Sequence, residues 1–188
     1  MRPELLLTAL AIGLGGPAHA QSQGPFGVGR PAAPETIAAW DIEARPDGRG
    51  LPPGSGSVRE GAVLFAARCA SCHGDRGQGA AAEALAGGTG SLTDAKPLRT
   101  VGSYWPYATT LFDYVRRAMP FDAPQSLAPD EVYAVSAYVL HLNGLLPGDA
   151  RLDAVALPKV AMPNRDGFTA DPRPDVAAEG AAARPPAR

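Results

Sequence analysis

Residues 69–74 read Cys-Ala-Ser-Cys-His-Gly. They hold the only two cysteines of the chain, Cys69 and Cys72, with His73 directly behind them. Three groups fit such a triplet: a disulfide, a zinc ion or a covalently attached haem. A Cys69–Cys72 disulfide closes a very small loop and removes little entropy from the unfolded chain. A redox-active dithiol belongs in a βαβ pattern, and none surrounds this one. A structural zinc site takes four ligands, whereas the triplet offers three, and the one further histidine beyond residue 20 is His141. Haem meets every constraint. Cys-x-x-Cys-His is the c-type attachment sequence, in which two thiols add to two vinyl groups and the histidine faces the iron. One motif predicts one haem c per chain, held through Cys69, Cys72 and His73 as proximal ligand.

An electron carrier holds its iron with a second strong ligand, usually methionine or histidine. The candidates are Met119, Met162 and His141. Met119 lies between two expected helices, in a loop stiffened by Pro120 and able to fold over the open haem face, and is the expected distal ligand. Met162 lies beyond the last helix and reads as a packing residue. His141 sits inside a helix, three residues after Tyr138, and reads as a wet flank. The metal ligands are therefore His73 and Met119. Such ligation raises the reduction potential and fills both axial positions, which favours outer-sphere transfer of one electron at a time over chemistry at the iron. His73 is expected to donate its second ring N–H to a backbone carbonyl, sought in residues 84–88. Tyr104, Trp105 and Tyr107 either line the pocket and reach haem propionates or form ordinary aromatic core.

Working outward, three helices are legible. The first opens on Ser57 with Glu60 three residues on, a capping box, and Val58, Ala62, Phe65 and Cys69 share a face. The second starts at Pro106, with Tyr107, Leu111, Val115 and Ala118 as its stripe. Arg116 and Arg117 near its end suit the helix dipole. The third runs from Pro129 to Asn143, with Val132, Val135, Val139 and Leu142 as its stripe and Asn143-Gly144 as its stop. No alternating strand is visible, so the fold class is all-α.

The ends differ. Residues 1–20 have Arg2 near the start, an apolar run over residues 5–14 and Ala18-His19-Ala20, a small-x-small cleavage site. This is a signal peptide too short to span a bilayer, and it places the protein in the periplasm with no membrane span after processing. Residues 21–57 form an N-terminal extension and 58–146 the helical domain. Residues 147–188 form a Pro/Ala-rich extension whose last part, 177–188, is low in complexity and expected to be disordered. The chain has 22 glycines and 20 prolines, which crowd these ends. A formal net charge of −2 and the lack of a basic run exclude a general nucleic-acid binder.

The stretches GAVLFAARCASCHG and DEVYAVSAYVLHLNG resemble class I c-type cytochromes. The resemblance implies helices packed around one covalent haem, with Gly61 and Phe65 of the first helix meeting Tyr138 of the last. The chain departs from the family in lacking a proline about a dozen residues after His73. Its nearest is Pro97, so the resemblance does not identify the acceptor for the imidazole N–H. A narrower resemblance covers AWDIEARPDGRGLPPGSGSV, TVGSYWPYATTLFDYVRRAMPFDAPQSL and MPNRDGF. These are similar to the monohaem cytochrome c subunit of bacterial sulfite and sulfur (sulfane) dehydrogenases.

That resemblance implies an electron-transfer subunit, not an enzyme in its own right. It implies a partner, a molybdenum-containing catalytic subunit, and a downstream cytochrome c or oxidase. Residues 37–51, around Trp40 and Asp41, either dock on that partner, cover a haem edge or pack as a plain extension. The alternatives are a cytochrome that serves a different periplasmic dehydrogenase or diffuses freely, and an enzyme with an open iron, against which Met119 argues.

Overall fold

The computed structural model describes residues 28–169 together with Phe26 and Asp171. The expected signal segment 1–20 and the expected disordered tail 177–188 lie outside the described residues. The chain divides into two compact units at Ala39 and Trp40. The first holds most of a short helix, α1 (Pro34–Trp40), with every residue exposed.

The second unit carries β1 (Ser55–Ser57), α2 (Val58–Arg68), α3 (Ala70–His73), α4 (Ala108–Ala118), α5 (Pro129–Leu142) and β2 (Arg151–Asp153). Its regular structure is mostly helical, as the class I cytochrome c resemblance implies. One feature departs from the all-helical expectation. β1 and β2 pair antiparallel, Gly56 opposite Leu152. Strands of three residues are too short to show alternation. Gly56 also sits where a Cβ would run into the Ala134 backbone, so this ribbon lies directly on α5.

α2 begins as its sequence dictates. Ser57 Oγ accepts from Glu60 N–H at 3.2 Å, and the Glu60 carboxylate accepts from Ser57 N–H at 2.7 Å. These two bonds satisfy orphan donors at both ends of the first turn. α4 starts at Ala108, with Tyr107 as its cap, two residues later than Pro106 suggested. Its buried face is wider than the predicted stripe, because Ala108, Thr109 and Phe112 join Leu111 and Val115. α5 opens at Pro129, and Glu131 accepts from the Ala128 N–H at 2.8 Å.

α5 is the centre of the molecule. Val132, Tyr133, Ala134, Val135, Ser136, Ala137, Val139 and Leu140 are all buried. A helix apolar on nearly every side has neighbours on nearly every side. α2 crosses it closely at Gly61, where any Cβ would run into the Ala134 carbonyl. One turn on, Phe65 and Tyr138 pack with ring centroids 5.3 Å apart. α4 meets it through Phe112 and Tyr133, 4.5 Å apart.

The segments flanking the helices are part of the core. Leu152, Leu157, Val160 and Met162 are buried among the helix residues. Upstream, Ala44 is buried and Leu51 packs at the core edge.

Candidate haem-binding site

The attachment sequence sits where α2 ends. Cys69 has φ −122° and ψ −35°, which breaks the helix, yet its N–H still reaches the Phe65 carbonyl. The chain resumes as the single turn α3, with Cys72 N–H and His73 N–H donating to the Cys69 carbonyl at 3.1 and 3.0 Å. Gly74 stops it at φ +79°, a conformation open to glycine at little cost. The turn holds both sulfurs and the imidazole at a rim: Cys69 and His73 half-buried, Cys72 exposed, both thiols free.

The loop after α3 folds back over it. Gly79 N–H donates to the His73 carbonyl at 2.7 Å and Ala82 N–H to the Cys72 carbonyl at 2.8 Å. His73 Nδ1 lies 2.9 Å from the Glu83 carbonyl oxygen. A carbonyl can only accept, so Nδ1 carries the proton and a neutral ring keeps its lone pair on Nε2. The acceptor is thus one residue upstream of the 84–88 segment expected from sequence. The fold-back places the chain's Glu83 peptide, not the glycines that follow, beside the ring.

The loop is itself tied down by a residue that sequence reasoning read only as a helix stop. Asn143 Nδ2 donates to the Leu85 and Val139 carbonyls at 3.0 and 2.9 Å, and its Oδ1 accepts from Gly87 N–H at 3.3 Å. A Cβ on Gly102 would strike the Asn143 side chain, so a second loop closes over the same amide. Only the fold-back reveals this use of Asn143; an Asn-Gly pair ending a helix gives no hint of it.

Met119 caps α4, its N–H bonded to the Val115 carbonyl at 3.1 Å. It is half-buried and packs against the core edge, as do Cys69, Leu85, Trp105 and Leu127. The peptide bond to Pro120 is cis. Met162, by contrast, is 4 % exposed within the core. His141 is half-buried rather than wet: its Nδ1 donates to the Leu146 carbonyl at 2.8 Å, so it closes the turn after α5.

The three aromatics go to different places. Trp105 packs edge-on against Tyr114. Tyr104 packs on Phe168, and its carbonyl accepts from Asn164 Nδ2 at 2.7 Å. The Arg165 guanidinium lies 4.5 Å from the centre of the Tyr107 ring. Tyr104 and Tyr107 therefore hold the C-terminal segment, a role that the sequence pattern of 99–107 does not show.

The donor set fits a c-type haem and little else. Among the described residues no group of three or more His, Cys, Asp or Glu side chains could hold a metal ion. Burial pushes the Cys69 thiol up to about 11, so it is protonated at neutral pH. A redox dithiol works as thiolate, which this burial disfavours; a thioether has no proton to lose. Two free thiols three residues apart, one imidazole whose Nδ1 donates to a carbonyl, and an edge of apolar side chains meet the demands of a covalently held porphyrin.

Residues 58–143 match the cytochrome c family model. The chain belongs to the cytochrome c family, whose members are electron-transfer proteins carrying covalently bound haem c. It is similar to a chain of the sulfane dehydrogenase SoxCD from Paracoccus pantotrophus. The two are 48 % identical with a TM-score of 0.73, over 86 % of this chain and 80 % of that one. No curated protein sequence matches the chain. No helix among the described residues is long and apolar enough to cross a membrane.

Proposed function

We propose that this chain is the monohaem cytochrome c subunit of a periplasmic sulfite or sulfur dehydrogenase. It accepts electrons one at a time from a molybdenum catalytic subunit and passes them to another cytochrome c or an oxidase. The observation that carries this reading is the 48 % identity, over 86 % of the chain, to a chain of a sulfane dehydrogenase complex. Oxidation of the sulfur compound belongs to the molybdenum subunit. The signal-like sequence of residues 1–20, with its apolar run and Ala18-His19-Ala20, supports the periplasmic location.

In this reading Cys69 and Cys72 would hold haem c through thioethers, and His73 Nε2 and Met119 Sδ would hold its iron. Haem c supplies a single-electron redox centre. The protein sets the rest. The Glu83 carbonyl fixes the tautomer and ring plane of His73 and makes the imidazole a stronger donor. Asn143 holds the loop that carries Glu83. Met119 offers a soft sulfur, which favours the reduced metal and raises the potential. Of residues 42–52, Ala44 is buried and Ile42, Gly48, Leu51 and Pro52 are half-buried, whereas Trp40 is 78 % exposed and is a candidate for a docking role within 37–51.

The test is purification of the native complex, metal analysis, and stopped-flow absorbance after adding sulfite or a sulfane-sulfur compound. Molybdenum co-purifying with the chain and rapid haem reduction are expected. A chain that purifies without molybdenum, with haem unreduced by either compound, refutes the assignment. Met119→Ala should abolish the sulfur-ligand band at the red end of the oxidised spectrum. Trp40→Ala should weaken co-purification without altering that spectrum.

A further inference from the structure

The Met119 loop is bounded by α4 and α5, and a single upstream segment is bonded to both. Residues 41–52 run across the two helices as a strap. At one end the Ala44 N–H donates to Asp113 Oδ1 at 2.7 Å, and Arg116 Nη1 donates to the Ile42 carbonyl at 3.2 Å. At the other end Tyr133 Oη donates to the Pro52 carbonyl at 2.9 Å. The strap between these anchors is stiff. Arg45 N–H reaches the Arg49 carbonyl at 2.9 Å, and Gly50 (φ +84°) lies so close to Glu43 that a Cβ would run into its carbonyl.

Asp113 is the node of this arrangement. Its second oxygen, Oδ2, accepts from Arg117 Nε at 2.8 Å. Both arginines precede Met119 in the last turn of α4, and the next turn of backbone bonds ends at Met119 itself. Hydrogen bonds to a carboxylate are stronger than neutral ones. The buried ring of Tyr133 places the far anchor one turn inside α5.

We propose that the 41–52 strap holds Met119 in ligating position by fixing the end of α4 against the start of α5, with Asp113 and Tyr133 as its positioning residues. The proposal rests on Met119 as the distal ligand. The strap would act on an equilibrium between a closed and an open Met119 loop, and in the haem-loaded chain the open form would admit an exogenous ligand. Without the strap the open form gains population, and the apparent affinity of any competitor rises by the same factor.

The experiment uses the full chain with haem attached, oxidised, titrated with imidazole while the long-wavelength sulfur band is followed. Asp113→Ala, which removes a charge-assisted anchor, should lower the apparent imidazole Kd about tenfold. Tyr133→Phe, acting from α5 with almost no change of shape, should lower it several-fold. Leu152→Ala removes a buried side chain that makes none of the strap's hydrogen bonds, and should leave the Kd at the wild-type value despite its lower stability. An unchanged Kd in both Asp113→Ala and Tyr133→Phe, or an equal fall in Leu152→Ala, overturns the strap. If the band survives Met119→Ala, the ligand assignment fails instead, whatever the strap variants do.

Discussion

Gly61→Ala adds one methyl group at the crossing of α2 and α5, and the structure says where it must go. The new Cβ would run into the Ala134 carbonyl and sit 2.8 Å from Tyr138 Cβ. Carbon atoms pack comfortably at about 3.5–4.0 Å, so the deficit is at least about 0.7 Å. The obstacle is the backbone of the central helix, which no rotamer change can move. Overpacking of this kind costs about 1–3 kcal/mol, and an unyielding neighbour argues for about 3. Alanine in a helix interior recovers about 1 kcal/mol relative to glycine. The net loss is then about 2 kcal/mol, equivalent to about 6 °C in Tm for a chain of this size. Ala66→Gly, on the exposed face of the same helix, calibrates the propensity alone and should cost about 1 kcal/mol. Both variants are unfolded in guanidinium with haem attached, monitored by far-UV circular dichroism. If Gly61→Ala matches or exceeds wild-type stability, the close crossing is not what the glycine is for.

Three further outcomes are expected. Asn143→Ala should lose about 1–3 kcal/mol and speed hydrogen exchange of the 79–88 amides, since the Gly87 N–H loses its partner and the Leu85 carbonyl keeps only the Val101 N–H; exchange unchanged there would separate Asn143 from the His73 loop. The Glu60 carboxyl is held down to about 2, first by the Ser57 N–H and hydroxyl and then by Arg151. A carboxyl whose folded value lies below its unfolded one contributes stability above the unfolded value and loses it as pH falls. Glu60→Gln should therefore flatten acid destabilisation between pH 4.5 and about 2, and an unaltered acid profile would contradict it. Leu157→Ala should cost about 2–5 kcal/mol in denaturant titrations, because its side chain is fully buried; a neutral result would mean that the segment beyond α5 is dispensable.

What could be read without coordinates was short-range. A capping box needs residues three apart, a helix stripe three or four, and Cys-x-x-Cys-His five in a row. Each is enforced by one turn of backbone, so Ser57–Glu60, the α2 face and the attachment turn all appear where local chemistry puts them. Met119 is the expected distal ligand on the same local grounds: soft ligands are few and one sits between two helices. The stripe on α5 was read too narrowly. Val132, Val135 and Val139 mark a face only if the other faces meet water, and here Tyr133, Ser136 and Leu140 are buried as well.

Tertiary structure alone decided whatever needed two distant stretches to meet. The acceptor for His73 is a backbone carbonyl, which every residue carries, so no side chain announces that Glu83 supplies it. The side chain of Asn143 serves a loop 58 residues upstream in sequence. Met162 reads as a packing residue from sequence, but what it and Leu157 pack against does not: the hydrophobic effect counts buried area, not position along the chain, and the helices leave a surface that these side chains cover. The strap follows the same logic: Ala44 and Asp113 are 69 residues apart, and only the folded chain makes one the partner of the other.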